Sequence, residues 1–341
     1  MRVNPAGQAD RAAWDAFVAL RPETLFYHRF AWRDAVVAAY GERPHYLMAR
    51  DETGDVRGVL PLFLVRGITG KARLLSVPHA LAAGLAADDP EAAAALTAEA
   101  HALARKVAGG RMTWREPAAA APDPDWAGLA TYRLPLPGAA ETLWKSLRPE
   151  IRNRTRKAEK SGVAVAEGRE LLPDFCRVYE RHMRELGTPP HPPAFFAALV
   201  AAEPRRVTVS LATLDGEPVA GMIRVAHGDA DTAVWVSSLA SAHAVSPVNL
   251  LYWRALEAAV ARGAATFDFG RGRPGAGPTV FKTRFGAVPH ALTRRDWPER
   301  PGDPAGDAAA SPAMEAVSRL WRKLPLGAAT FLGRRLRRFL P

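Results

Sequence analysis

The chain has 341 residues, 48% of them hydrophobic, and its 46 Lys and Arg against 35 Asp and Glu leave a net charge of +11. That length is enough for two domains with separate cores; the single cysteine, Cys176, excludes an internal disulfide, no Cys/His set has zinc-ligand spacing, and no apolar run reaches the ~20 residues needed to cross a bilayer. The charge suits nucleic acid, anionic lipid or a phosphorylated substrate equally, and the start, MRVNPAGQADRAAWDAF, lacks the apolar stretch of a secretion signal, which predicts a cytoplasmic protein.

In chain order, the first half reads as a strand over Tyr46–Arg50, a turn at Glu52-Thr53-Gly54-Asp55, a strand over Val56–Val65, a strand over Leu74–Val77, a helix over about Pro90–Val107 and a strand over Arg111–Arg115. His79, beside Pro78 and close to Gly84, either lines a cleft or packs as an ordinary histidine. The stretch Pro117–Asp125 (PAAAAPDPD) is the natural break between the halves.

Leu147–Val163 (LRPEIRNRTRKAEKSGV) follows, with Pro149 suited to a first helical turn and Gly162 to a helix end. Arg148, Arg152, Arg156 and Lys160 recur every four residues and form one basic stripe. Like charges at that spacing repel by roughly a few tenths of a kcal/mol each, which a bound anion or an acid such as Glu159 offsets; a solvated helix face is the alternative. Cys176, within LLPDFCRVYERHM, reads as a core residue rather than a nucleophile.

Arg206–Leu214 and Val219–Ala226, joined by Asp215-Gly216-Glu217-Pro218, form a hairpin, and Thr232–Leu239 makes a third strand. Ser246 as cap and Pro247 in the first turn start a helix that runs to about Arg262, after which Thr266–Phe269 is a strand. This β-β-β-α-β order repeats that of the first half, so we expect two related domains, residues 1–135 and 136–297. The stretch Phe267–Ala287 (FDFGRGRPGAGPTVFKTRFGA) continues into a glycine-rich loop carrying Arg271, Arg273 and Lys282, which either binds an anionic substrate or is a hairpin with solvated cations. Residues 298–312 form a low-complexity linker, and residues 313–341 form a basic amphipathic segment that either lies on an anionic membrane or docks on the protein's own core.

The element order, with LRPEIRNRTRKAEKSGV, SPVNLLYWRALEAAVARGAATFDFGRGRPGAG and VFKTRFGA, resembles the FemAB-like branch of the GNAT-fold acyltransferases over nearly the whole chain. Through Phe26–Trp32 (FYHRFAW), Met183–Pro189 (MRELGTP), FDFGR and FKTRFG it more narrowly resembles the FemAB-related proteins associated with exosortase and exopolysaccharide systems. The resemblance implies an α/β (α+β) protein of two tandem GNAT-like domains with mixed sheets flanked by helices. It implies an enzyme moving an acyl or aminoacyl group to an amine of a cell-envelope or exopolysaccharide precursor, as family members do from aminoacyl-tRNA to peptidoglycan precursors. Carried over by position, Lys282 pairs with a substrate phosphate, and Arg152 and Arg156 are the basic positions of the family's helix. Asp268 orients Arg271 or accepts a proton from the attacking amine, and Trp235, Ser237, Asn249 and Phe281 complete the substrate-binding set.

The loop Ser241–Pro247 (SAHAVSP) lacks the glycines with which ordinary GNAT enzymes wrap coenzyme A pyrophosphate, although the helix start at Pro247–Asn249 still attracts an anion. Acetyl-coenzyme A is therefore disfavoured; the co-substrate expected is aminoacyl-tRNA or acyl-coenzyme A, with no tightly bound cofactor and no metal. Direct attack of an amine on the donor carbonyl is expected, with backbone amides around Trp235–Leu239 stabilising the oxyanion. The expected partners are a phosphorylated or carboxylated precursor, tRNA and, through residues 313–341, the inner face of an anionic membrane. A GNAT-type N-acyltransferase using acyl-coenzyme A or acyl-carrier protein, and a non-catalytic membrane-associated scaffold of envelope assembly, are the competing functions. No recognisable reading module supports sequence-specific DNA binding.

Overall fold

The computed structural model describes residues 1–118, 128–298 and 312–340, so most of the expected break at Pro117–Asp125 and of the expected linker at residues 298–312 lies outside the described residues. Among the described residues the chain forms two compact units. Unit 1 draws on Met1–Leu129, Ala291–Asp307 and Arg338–Pro341, and unit 2 on Ala130–His290 and Ala308–Arg337. This division differs from the expected boundaries at 135 and 297: the strand Ala130–Pro135 joins the second sheet, and Ala291–Trp297 joins the first.

Unit 1 begins with β1 (Arg2–Pro5), α1 (Arg11–Ala19) and α2 (Phe30–Tyr40). There follow β2 (Arg43–Pro44), β3 (Leu47–Arg50), β4 (Val56–Leu60), β5 (Phe63–Arg66), β6 (Ala72–Leu75), β7 (Ala86–Ala87), α3 (Pro90–Ala108) and β8 (Met112–Pro117). The single strand expected over Val56–Val65 is two strands in different sheets. Pro61 has no N–H to continue a ladder; the chain turns there, and β4 pairs with β3 and β7 while β5 pairs with β2 and β6. Helix α3 starts where Asp89 Oδ1 accepts the Ala92 N–H at 2.8 Å with Pro90 in the first turn, and ends at Gly109 in the left-handed region. Its Ala92, Leu96, Ala100, Ala104 and Ala108 face the core with Leu47, Leu60 and Leu74.

The FYHRFAW run is the other half of this core. All of its residues are buried, Phe26 and Tyr27 in ring contact with Trp32, and Phe30 in a second group with Trp14, Tyr46 and Phe63. The Trp14 indole donates to the His28 carbonyl at 2.7 Å and the Trp32 indole to the Pro78 carbonyl at 3.1 Å. His79 packs against Tyr40 with the rings tilted by 35° and their centroids 4.4 Å apart.

Unit 2 consists of β9 (Ala130–Pro135), α4 (Ala140–Ser146), α5 (Pro149–Lys160), β10 (Ala164–Glu167), α6 (Leu172–Leu186) and α7 (Pro193–Ala202). It continues through β11 (Val207–Leu214), β12 (Glu217–His227), β13 (Ala230–Ser238), α8 (Pro247–Ala261), β14 (Thr266–Gly272) and α9 (Gly277–Arg284). Its strands run β10-β11-β12-β13-β14-β9, antiparallel except for β13 against β14. The expected β-β-β-α-β order is present here at nearly the expected boundaries. The glycine-rich stretch is shorter than expected, because β14 runs on to Gly272 and Lys282 sits in helix α9 rather than in a loop.

Helices α10 (Pro312–Lys323) and α11 (Leu326–Leu336) close unit 2 by packing on α6. Trp321, Ala329 and Gly333 are buried there, Arg334 pairs with Glu180 at 2.6 Å, and Arg184 Nε donates to the Leu324 carbonyl at 2.9 Å. The basic tail therefore docks on its own core along one face. Cys176 is buried on α6 as expected, and burial pushes its thiol up to about 12.

Candidate functional site

Strand β13 pairs with β14 only at Ala230–Thr232 against Thr266–Asp268, and beyond this the two parallel strands part. Gly270 lies next to the point of divergence: its φ of +75° suits glycine, and a Cβ there would stand 3.0 Å from the Ala233 carbonyl oxygen. The remainder of β13 remains paired with β12, while β14 continues along β9. A cavity of about 630 Å³ opens at the free end of β13, lined by residues of α5, α6, α8 and α9 as well as β13 itself.

Its wall is mostly apolar, with Leu186, Val236, Pro247, Val248, Phe281 and the ring of Tyr252. Polar groups are few and concentrated. Ser238 Oγ and His243 Nε2 are hydrogen-bonded at 3.0 Å, and His182 lies on the same wall, its imidazole shifted below the ordinary histidine range by burial and by nearby His243, against an opposing pull from Glu185. Asn249, 4% exposed at the start of the fifteen-residue α8, has its Nδ2 amide without a hydrogen-bond partner among the described residues. A buried amide left unpaired costs free energy until something accepts from it, and the N-terminal end of a helix carries partial positive charge; both favour an anionic or carbonyl oxygen at that spot.

Lys282 reaches the cavity from α9. Its Nζ donates to the Gly270 and Arg271 carbonyls, each at 2.8 Å, which leaves one of three N–H groups for a ligand. Burial lowers its pKa to about 8, the Asp268 carboxylate opposing and Arg271 assisting. The sequence expectation of a lysine held for a substrate phosphate thus meets a lysine whose first task is to secure the end of β14.

Of the other expected site residues, Ser237, Asn249 and Phe281 line the cavity. Trp235 does not: it packs on His191, Phe195 and Phe196. From helix α5 the cavity takes Arg154, which lies outside the expected basic stripe, and neither Arg152 nor Arg156. Arg156 stands over the Trp144 ring at 5.4 Å, and Glu159 pairs with Arg254 instead of offsetting the stripe. Arg154 shares Glu150 with Arg284, at 3.2 and 3.1 Å. Asp268 is buried and outside the cavity lining; its carboxylate accepts from the Thr131 hydroxyl, the Gly270 N–H at 2.7 Å and Arg133 Nε at 3.3 Å. It anchors β14 to β9 through Arg133, where orienting Arg271 or accepting a proton from the attacking amine was expected, and Arg271 itself is exposed. Ser246 does not cap α8 with its side chain, because its own backbone is left-handed at φ +59°.

The sequence reading missed Arg154, Ser238, His243, His182 and Tyr252. The stretch SAHAVSP drew attention for the glycines it lacks, while its histidine, five residues from Ser238, was the available signal.

Residues 145–283 match the family model described as Acetyltransferase (GNAT) domain, a span that contains every cavity-lining residue. Among solved structures, FemX is similar over 87% of this chain and 97% of its own, with 14% identity and a TM-score of 0.65. The C-terminal domain (DUF2156) of a putative lysylphosphatidylglycerol synthetase from Agrobacterium fabrum is similar over 83% and 91%, with 13% identity and a TM-score of 0.53. A tandem GNAT protein from the clavulanic acid biosynthesis pathway is similar over 86% and 98%, with 14% identity and a TM-score of 0.52. No curated protein matches the chain in sequence. The fold is the mixed α/β GNAT fold, with sheets flanked by helices as expected.

Proposed function

We propose that unit 2 is an acyl- or aminoacyltransferase that moves an activated acyl group onto an amine. The observation that carries this reading is the cavity at the parted end of β13, where the buried, unpartnered Asn249 amide at the start of α8 shares a wall with the hydrogen-bonded Ser238–His243 pair. In this reading an oxygen of the donor takes the Asn249 amide and the last Lys282 N–H. The amine nitrogen attacks the donor carbonyl carbon, the bond from that carbon to the ester oxygen or thioester sulfur breaks, and the nitrogen's surplus proton passes to His243 through Ser238. Asp268, with both oxygens occupied away from the cavity, has no proton-transfer role in this scheme.

Aminoacyl-tRNA is our preferred donor, supported by the basic α5 beside the cavity and by the lysyl group in the name of the Agrobacterium neighbour. The acceptor we favour is a phosphorylated or carboxylated envelope or exopolysaccharide precursor, as the resemblance to exosortase-associated FemAB proteins implies. Acyl-coenzyme A is the second reading, supported by the apolar walls at Leu186, Val236 and Phe281. Equilibrium binding of acetyl-coenzyme A, a longer acyl-coenzyme A and aminoacyl-tRNA at two salt concentrations, with Asn249→Ala as control, tests the proposal. Saturable binding of one donor that weakens in the variant supports it and names the donor. Salt-sensitive binding indifferent to Asn249 overturns it.

A further inference from the structure

The tail was expected either to dock on the core or to meet a membrane, and its geometry leaves room for both at once. From Ala316 to Pro341 the sequence holds seven Lys or Arg and no Asp or Glu. The inner faces of α10 and α11 are fully committed: Trp321 and Ala329 are buried, and a Cβ on Gly333 would stand 2.4 Å from Pro190 and 3.1 Å from the Trp321 ring. The opposite sides carry large apolar side chains that nothing in the described structure covers. Leu320 is 65% exposed, Phe331 57%, Val317 54% and Leu332 41%. Arg319, Arg322 and Lys323 are exposed around Leu320, and Arg335 lies 3.7 Å over the Phe331 ring.

Exposed leucine, valine and phenylalanine set among cations, with no acid on the segment beyond Glu315, narrow the possible occupant. A second copy of the same face would bring like charges together. A nucleic-acid backbone satisfies the cations and gains nothing from Leu320, Val317 or Leu332. The boundary between head groups and acyl chains of an anionic bilayer satisfies both, because basic side chains reach the phosphates while apolar ones bury beneath them. We propose that the outward faces of α10 and α11 are a peripheral docking surface for an anionic phospholipid bilayer, engaged while their inner faces stay packed on α6. This holds whichever donor the cavity takes, since none of these residues lines the cavity.

Co-sedimentation of the full chain with vesicles of phosphatidylglycerol mixed into phosphatidylcholine, against vesicles of phosphatidylcholine alone, tests it. The expected result is binding to the anionic vesicles only. It weakens at least about tenfold in Arg319→Gln/Arg322→Gln/Lys323→Gln, as the loss of several surface cations implies. It weakens comparably in Leu320→Gln/Phe331→Gln/Leu332→Gln, with thermal unfolding unchanged because the altered side chains are exposed. Hydrogen exchange in α6 should stay protected when vesicles bind. No sedimentation with anionic vesicles overturns the proposal, and so does full retention of binding by the apolar variant, which would leave only a cationic surface. A tRNA complex lost in both variants without vesicle binding would reassign the face to nucleic acid. Concentration-dependent dimers lost in both variants would reassign it to self-association. Faster exchange in α6 on vesicle binding would show that the tail leaves the core, against the docked form proposed.

Discussion

In unit 1 the chain leaving β6 turns back on β8, whereas in unit 2 the chain leaving β13 swings clear of β14. The strand pairs are alike, parallel and brief: Leu74–Leu75 against Met112–Thr113 in one, Ala230–Thr232 against Thr266–Asp268 in the other. In unit 1 the segment after β6 fills the space beside β8. The Ser76 N–H donates to the Thr113 carbonyl at 2.9 Å and the Ala83 N–H to the Arg115 carbonyl at 3.0 Å, and Val77, Ala80, Leu81, Ala82 and Ala83 are buried. His28, through its contact with the Gly84 carbonyl, and Trp32, through the Pro78 carbonyl, hold that segment in place. In unit 2 the equivalent space is left as the cavity, and the chain crosses to α8 at its rim. One gap is thus closed by the chain's own backbone and the other is left open as the cavity. The lesson is that the parting of two strands becomes a site only where the following chain stays out of the gap.

The sharpest way to break this contrast is to undo the closure of unit 1. Trp32→Ala removes a fully buried indole and its bond to Pro78, and should cost about 3–5 kcal/mol of stability in denaturant unfolding, with donor binding in unit 2 intact in whatever fraction remains folded. A loss below about 1 kcal/mol would mean that the filled gap is not what holds unit 1 together. On the open side, His243→Asn should lower the transfer rate by about 10²-fold or more and leave unfolding unchanged, because His243 is exposed; an unchanged rate would remove the Ser238–His243 pair from the chemistry.

Titration separates the units on opposite limbs. His28, buried and hydrogen-bonded in unit 1, has its pKa lowered to about 4 from 6.5. The unfolded chain takes up this proton as pH falls through 6.5 and the folded chain only near 4, so stability is lost across that window, by about 3 kcal/mol at full extent. Lys282 in unit 2 acts in the same direction in the alkaline range. Its folded pKa of about 8 lies below the unfolded 10.5, the folded state binds fewer protons between them, and stability rises with pH there by a comparable amount. Unfolding curves of the protein compared with His28→Gln and Lys282→Met should lose the acid and alkaline slopes respectively. If both variants keep both slopes, other groups set the pH response. The smallest effect is expected from Asn249→Ala. With its Nδ2 unpaired in the free protein, stability should move by less than about 1 kcal/mol while donor affinity falls, and a large destabilisation would mean that the amide has a partner in the free protein.

Most of unit 2's framework and one end of its site follow from local sequence signals. The hairpin Val207–Leu214 to Glu217–His227, the Pro247 start of α8 and the Pro149 start of α5 follow from alternation, turn residues and proline placement, which act within a few residues of chain. Ser237, Asn249, Phe281 and Lys282 were legible as cavity residues because they sit on the conspicuous strand end, helix start and FKTRFG run. What each of them faces depends on long-range packing. Whether Arg154 or its neighbours Arg152 and Arg156 point into the cavity depends on how α5 is rotated against α8, and the four-residue spacing marked the stripe without Arg154. Asp268 found Thr131 and Arg133 more than 130 residues away in sequence, which no local pattern encodes. Lys282 was marked by its charge, yet the two carbonyls that hold it become neighbours only when α9 folds back on β14. The two-faced tail is the same case: its amphipathic spacing is local, but which face meets α6 is settled by packing of Trp321, Ala329 and Gly333, a property of surfaces brought together from distant parts of the chain.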